Sequence, residues 1–430
     1  MIEIFAHELA RGSGFPYVLI KGKLLTPSSK LDQIMLNNIF NNLAYDAQSE
    51  GSRHDYLYDL ICEYQNKTTI FESVISHFQS MTETSSGEYQ VFGFVARMVK
   101  DNICPLSIII TKFEKYWEYI DSAFSIGITE IIDLEKDDGI KRIAKLFGKR
   151  ISLGLSIDES DTPFYEIYKD DFGLNIEHIQ KILRSDPDPM IALYMKYITE
   201  YPEPVEGINR FDFDKSFQDI LSGKRVPVRR VANKASEEQY ARYCNEFITI
   251  DNKKIKHHMV KAFEYRKYTG NFDDLVSEYN QTRDTNYRIS LLESMIPFDN
   301  PQVRKFVDRL IDDKYRMIET KIRLTQNNEN DYSWILESLE IFSAFEIHQE
   351  LNFFLENEKV RKVFFYNEIL DILLRKMECS ICRNKIVDKM IELECLDINQ
   401  AKILLYDCES DTRSVALKYI EKIHLTTAST

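Results

Sequence analysis

A chain of 430 residues exceeds what one hydrophobic core usually serves, so two domains or one elongated array are expected rather than a single ball. Its hydrophobic (44%) and charged (29%) fractions exclude wholesale disorder, and 14 glycines with 11 prolines, against roughly 30 and about 20 at average usage, disfavour turn-rich β architectures. With 69 acidic and 55 basic residues the net charge is −14, which sets the molecule as a whole against polyanions; nucleic-acid binding would need a local basic patch.

The first residues, Met1-Ile2-Glu3-Ile4-Phe5-Ala6-His7-Glu8, carry charge where a signal peptide needs an apolar core. No window approaches the roughly 18 apolar residues of a membrane span. The chain therefore reads as cytoplasmic, with no membrane partner. Gly12-Ser13-Gly14 lacks the third glycine and downstream acid of a dinucleotide site and reads as a tight turn. Leu57, Leu60, Ile61 and Tyr64, followed by Ile70, Phe71, Val74, Ile75 and Phe78, repeat at i, i+3, i+4, i+7 or i+8 and predict a helical hairpin.

Across 148–163, Ile151, Leu153, Leu155 and Ile157 alternate with small or polar residues, as a short strand or a loop would. Asp171-Phe172-Gly173 copies the kinase metal-binding triplet, but every other kinase motif is missing. Asp186-Pro187-Asp188-Pro189 predicts a helix start ahead of the stripe Met190, Leu193, Tyr194, Tyr197, Ile198 and Tyr201. From Tyr201 to about Ala235 three prolines (Pro202, Pro204, Pro227) and two glycines break the pattern. The expected organisation is a helical region at 1–200, a linker or long loop at 201–235, and a second helical region at 236–430. Ser236-Glu237-Glu238-Gln239 predicts a capping box. Asp299-Asn300-Pro301 predicts a start for the stripe Val303, Phe306, Val307, Leu310 and Ile311.

The segment Asp299-Asn300-Pro301-Gln302-Val303-Arg304 resembles the turn and Val-Arg helix start of HEAT repeats. Asn357-Glu358-Lys359-Val360-Arg361, Asp284-Thr285-Asn286-Tyr287-Arg288 and the stretch Glu409-Ser410-Asp411-Thr412-Arg413-Ser414-Val415-Ala416-Leu417 resemble it more loosely. In physical terms the acidic or amide side chain caps the helix, and the arginine stands ready to pair with a neighbouring turn's carboxylate. The arginines are spaced by 16, 57 and 52 residues, against roughly 40 in a clean array, so the repeats are degenerate. The resemblance covers mainly residues 284–420. It implies an all-α chain, an α-solenoid of stacked helical hairpins, with an irregular helical bundle as the alternative, and it implies binding rather than chemistry.

Candidate chemistry is sparse. Cys379, Cys382, Cys395 and Cys408 have the number of thiols a zinc site needs, but the second pair is split and helical residues intervene, so buried core cysteines are expected. His257-His258, within Lys253-Lys254-Ile255-Lys256-His257-His258-Met259, has no carboxylate or further histidine at metal-ligand spacing and reads as a solvated basic helix face. Neither a metal nor a cofactor is expected. Lys224, Arg225, Arg229, Arg230 and Lys234 form a basic run with no acidic residue between them, inside an acidic molecule. This run is a candidate contact for an anion or a partner; its alternative is a solvated linker paired with acidic helices. Aromatic runs such as Lys115-Tyr116-Trp117-Glu118-Tyr119 and Val363-Phe364-Phe365-Tyr366 are expected in the core. The leading expectation is a scaffold or adaptor that binds another protein, without catalytic activity of its own. The alternatives are a nucleic-acid-binding helical-repeat protein that uses the basic run, and an unrecognised hydrolase.

Overall fold

The computed structural model describes residues 1–81, 87–119, 126–154, 176–200, 211–298, 301–310 and 313–428. Every regular element among them is helical, as the glycine and proline deficit predicts. No helix among the described residues is long and apolar enough to cross a membrane. In chain order the elements are α1 (Ile2–Ala10), α2 (Phe15–Lys21), α3 (Ser29–Phe40), α4 (Ala47–Glu50), α5 (His54–Glu63), α6 (Lys67–Ser80), α7 (Glu88–Lys100), α8 (Leu106–Tyr119), α9 (Ile128–Glu135), α10 (Asp137–Ser152), α11 (Ile176–Arg184) and α12 (Pro189–Glu200). Then come α13 (Phe213–Leu221), α14 (Val228–Lys234), α15 (Glu237–Thr249), α16 (Lys253–Val260), α17 (Phe272–Gln281), α18 (Thr285–Met295), α19 (Pro301–Val307), α20 (Arg316–Gln326), α21 (Tyr332–Ile341), α22 (Ala344–Glu356) and α23 (Tyr366–Lys376). The chain closes with α24 (Ser380–Glu392), α25 (Ile398–Leu404) and α26 (Ser410–Ala428).

The chain forms two compact units, one of Met1–Pro204 with Glu378–Thr430 and the other of Val205–Met377. This differs from the division expected at 201–235. Residues 213–234 are mostly helical rather than linker: Phe213, Phe217 and Ile220, at i, i+4 and i+7, bury one face of α13. Asp212 caps that helix, accepting from Lys215 N at 3.0 Å. Residues 201–210 lie outside the described part of the chain, as do Asp171-Phe172-Gly173, Asp299-Asn300 and residues 155–163 of the alternating stretch 148–163. Gly148 and Ile151 of that stretch belong to α10.

In the first unit the predicted hairpin is α5 and α6: Leu57, Leu60, Ile61 and Tyr64 are buried, with Ile70, Phe71, Val74 and Phe78. Both helices pack on α7. Asp188 caps α12 as expected, accepting from Met190 N at 2.8 Å. The buried face of α12, however, centres on Ile191 and Tyr194, not on Met190 and Leu193. Tyr194 stacks on Phe147 of α10 with ring centroids 5.3 Å apart. Gly148 lets the two backbones meet, since a Cβ there would lie 1.9 Å from the Met190 carbonyl oxygen.

The C-terminal segment of the first unit holds a buried ion pair and meets the N-terminal part at Gly12. Arg383 on α24, only 1% exposed, donates from Nε to Asp407 Oδ2 at 2.9 Å and from Nη2 to Asp407 Oδ1 at 3.0 Å. It also donates to the backbone oxygens of Gly12 at 3.2 Å and Glu378 at 3.1 Å. Cys408 N donates to Gly12 O at 2.8 Å. Gly12 has φ +70°, and a Cβ there would meet Cys408 Sγ at 2.3 Å, so the turn read from Gly12-Ser13-Gly14 is the socket for the far end of the chain.

Glu130 on α9 is part-buried, and burial, with a push from Asp133 against the pull of Lys100, raises its carboxyl to about 7. A carboxyl harder to ionise folded than unfolded gives stability that is whole below the unfolded pKa and lost as pH rises through the folded one. Glu130→Gln is therefore expected to match the parent near pH 4 and to exceed it by about 2 kcal/mol near pH 8, read from urea unfolding. An equal gain at both ends would show that Glu130 does not titrate in this window.

The core of the second unit is aromatic. Phe263 meets Phe247 edge-on at 5.1 Å and Tyr268 at 4.8 Å, and Tyr243 OH donates to Met259 O at 3.0 Å. Ser236 and Gln239 form the predicted capping box on α15: Gln239 N donates to Ser236 Oγ at 3.2 Å, and Ser236 N to Gln239 Oε1 at 2.9 Å.

Candidate anion-binding cleft

A cleft of about 940 Å³ opens in the second unit between the turn after α13, the start of α14, and α16 with the 3₁₀ turn Lys261–Glu264 that follows it. Its first wall begins where α13 ends. Gly223, at φ +84°, sends Lys224 N back to Asp219 O at 2.9 Å, while its own N–H reaches Ile220 O at 2.9 Å. This paired closure of a helix end needs a left-handed residue, which glycine supplies at least cost. It delivers Lys224 and Arg225 to the cleft at once. On α14, Val228, Val231 and Ala232 are buried at i, i+3 and i+4, which leaves Arg229 on the open side. The Arg229 guanidinium lies 5.5 Å from the ring centre of Tyr265 on the opposite wall.

The opposite wall is α16, capped by Asn252, whose Oδ1 accepts from Lys254 N at 3.0 Å. Lys254, His257, His258 and Lys261 line the cleft, and their spacing of i, i+3, i+4 and i+7 makes one continuous basic stripe. Lys256 faces the other way, buried and paired with Glu278. His258 Nε2 lies 3.0 Å from the Val226 oxygen and ties the two walls together.

Of the cations in the cleft, Lys224 is paired with Asp219 at 2.7 Å. Arg225, Arg229, Lys254 and Lys261 have no carboxylate at ion-pair distance among the described residues. Glu264 is the one acid in the wall. Burial first, then the neighbouring carboxylates Glu293 and Glu350 against Lys321 and Lys261, raise its carboxyl to about 7. His257 is held below its ordinary pKa by burial and by Lys261 and His258, with Asp284 opposing. His258 is lowered by burial, Lys261 and Arg225, with its bond to Val226 opposing. For both rings burial is the larger cause, and the neighbouring cations add to it.

The cleft gathers three of the five residues of the predicted basic run, Lys224, Arg225 and Arg229; Arg230 and Lys234 do not line it. Arg230 fails because the buried faces of Val228 and Val231 aim Arg229 inward and its neighbour away. The contribution of α16 was not foreseen, although the spacing of Lys254, His257, His258 and Lys261 carried the signal. In the first unit, Cys379 and Cys382 bring their sulfurs within 4.8 Å of each other, whereas Cys395 and Cys408 join no ligand-distance cluster among the described residues. Burial pushes the Cys408 thiol up to about 11. Compared with protein-family models, with curated proteins and with solved structures, the chain matches none.

Proposed function

We propose that the chain is a non-catalytic binding protein that holds an anionic partner in the cleft of its second unit, on a helical framework of the HEAT-like kind expected from its sequence. The observation that carries this reading is the convergence of Arg225, Arg229, Lys254 and Lys261 on one cavity without carboxylate partners among the described residues. Like charges gathered this way repel one another, and an anion relieves that cost. No serine, threonine or cysteine lines the cavity, which favours binding over nucleophilic hydrolysis.

The HEAT-like part is supported by packing between helices close in sequence: α17 on α18, α18 on α20, α20 on α21, and α21 on α23. It is supported also by Arg304 of the Val-Arg segment, which grips Asp331 in the turn before α21, with Nη2 to Oδ1 at 2.6 Å. Exposed Ile341, Phe345 and Phe364 favour the scaffold reading, in which the partner is another protein.

The test is titration of the full chain with polyglutamate, inorganic tripolyphosphate and oligothymidylate. At least one of them is expected to saturate at one per chain, and Arg225→Glu/Lys254→Glu is expected to remove that binding. If none binds, or the variant binds equally well, the reading falls. Protonation of His257 and His258, which face Lys261, Arg225, Asp284, Tyr287 and the Val226 backbone, is opposed by burial and then by the neighbouring cations, and an anion in the cleft would offset the second of these. Affinity is therefore expected to rise as pH falls from about 7.5 to about 5.5, with a steeper slope for the parent than for His257→Asn/His258→Asn. Identical slopes would show that the histidines do not sense the anion; comparison with the variant removes the ligand's own titration.

A further inference from the structure

Resting on that reading, we infer that the cleft takes a compact, multiply phosphorylated small molecule rather than a length of nucleic acid or an acidic peptide. Its volume of about 940 Å³ is that of a small-molecule site. Three separate stretches of backbone supply the cations: the turn with Lys224 and Arg225, the first turn of α14 with Arg229, and the stripe from Lys254 to Lys261. Charges arriving from several sides surround a compact ligand, whereas a strand of phosphates is better matched by a row of cations along one surface.

The surroundings decide the same way. Screening limits exposed charges to a reach of about 8 Å at physiological salt, so a ligand held inside the cleft feels its cations and little of the net −14. A longer polyanion would leave this shelter, passing Asp219, already paired with Lys224, and Asp284, close enough to act on His257. Recognition of single strands also needs an aromatic face on which a base can stack. Tyr265 is the aromatic side chain of the cleft, and the Arg229 guanidinium stands over its ring.

Phosphate suits the donors better than carboxylate. Two guanidinium forks, Arg225 and Arg229, offer paired N–H groups to phosphate oxygens, while Lys254 and Lys261 add point charges at other angles. A phosphate cluster presents several charges within one cavity. An acidic peptide spreads one charge per residue along an extended backbone.

The experiment is calorimetric titration of the full chain with inorganic tripolyphosphate, beside oligothymidylates of two lengths and polyglutamate. Tripolyphosphate is expected to bind one to one, at least about tenfold more tightly than either comparison polymer, with no gain from lengthening the oligothymidylate. Arg225→Glu/Lys254→Glu is expected to weaken it by about a hundredfold. Arg230→Glu/Lys234→Glu, the same change of charge outside the cleft, is expected to leave it within about twofold, which separates a site from general electrostatics. All four positions are exposed and none is ion-paired among the described residues, so the fold is retained; circular dichroism checks this. Oligothymidylate that gains with length and outcompetes tripolyphosphate, or preferred polyglutamate, would overturn the inference while leaving the anion-binding reading intact. Binding of no anion, or equal loss in both double variants, would overturn both.

Discussion

Asp407→Ala is expected to cost the first unit about 3 to 5 kcal/mol, the loss typical of a buried pair stripped of one partner. The reason lies in what remains. Arg383 would keep its charge at 1% exposure after losing the carboxylate that its Nε and Nη2 both meet. Asp407 also accepts from Glu409 N at 3.0 Å, so the turn leading into α26 loses an anchor as well. Amide hydrogen exchange in α24 and α26 would read the effect, because it resolves one unit of a chain that need not unfold in a single step. Arg383→Met/Asp407→Leu is expected to recover most of the loss, since replacing both partners removes the orphaned charge. Protection changed by less than about 1 kcal/mol in Asp407→Ala would mean that water reaches Arg383 and solvates it.

In the second unit the corresponding change is Asp331→Ala, with an expected loss of about 3 kcal/mol. The Asp331 side chain is 3% exposed and accepts from Arg304 Nη2 at 2.6 Å and from Arg323 Nη1 at 2.8 Å. The loss should fall below that of Asp407 because both arginines retain other carboxylates: Asp308 lies 3.0 Å from Arg304 and 2.9 Å from Arg323, and Glu319 lies 2.6 Å from Arg323. The Arg323 guanidinium stands 4.6 Å from the Trp334 ring centre, so Trp334 fluorescence reports the release directly. Unchanged emission together with an unchanged unfolding midpoint would show that the three-way junction contributes nothing.

These two junctions mark what sequence reading reaches. That the chain would be helical followed from its few glycines and prolines and from stripes such as Leu57 to Phe78. The capping box at Ser236 is local, so it was legible too. The arginine of the Val-Arg segment was expected to meet a neighbouring turn's carboxylate, and Arg304 meets Asp331. What escaped is whatever depends on distance along the chain. Arg383 and Gly12 meet across a separation of 371 residues in sequence, and no pattern within a helix announces it; the division into units therefore differs from the expected one. At α12 the stripe was right at Tyr194 but missed Ile191, because Met190 and Leu193, which lie half-buried beside that face, are as apolar as the residue that fills it. The cleft was half visible. Its first wall was read as a run of basic residues, but a run on a helix spreads around the axis by about 100° per residue, and of the cations on α14 Arg229 alone lines the cavity. The second wall is a true stripe; it was read as a solvated basic helix face, because nothing within the helix shows that it stands opposite the basic run.

The tie between Gly12 and the Arg383–Asp407 pair also sets an order on assembly. Residues 205–377 close their own unit and can do so as soon as they have left the ribosome. The first unit, although its helices are made first, cannot seat Arg383 or Cys408 until the last stretch is translated. In the interval Tyr56, whose hydroxyl donates to Ser13 O at 2.8 Å in the finished molecule, lies beside a socket with no occupant. A nascent chain of this protein must make all of residues 205–377 before the N-terminal part of the first unit can close, and that is the stage at which a chaperone would find it.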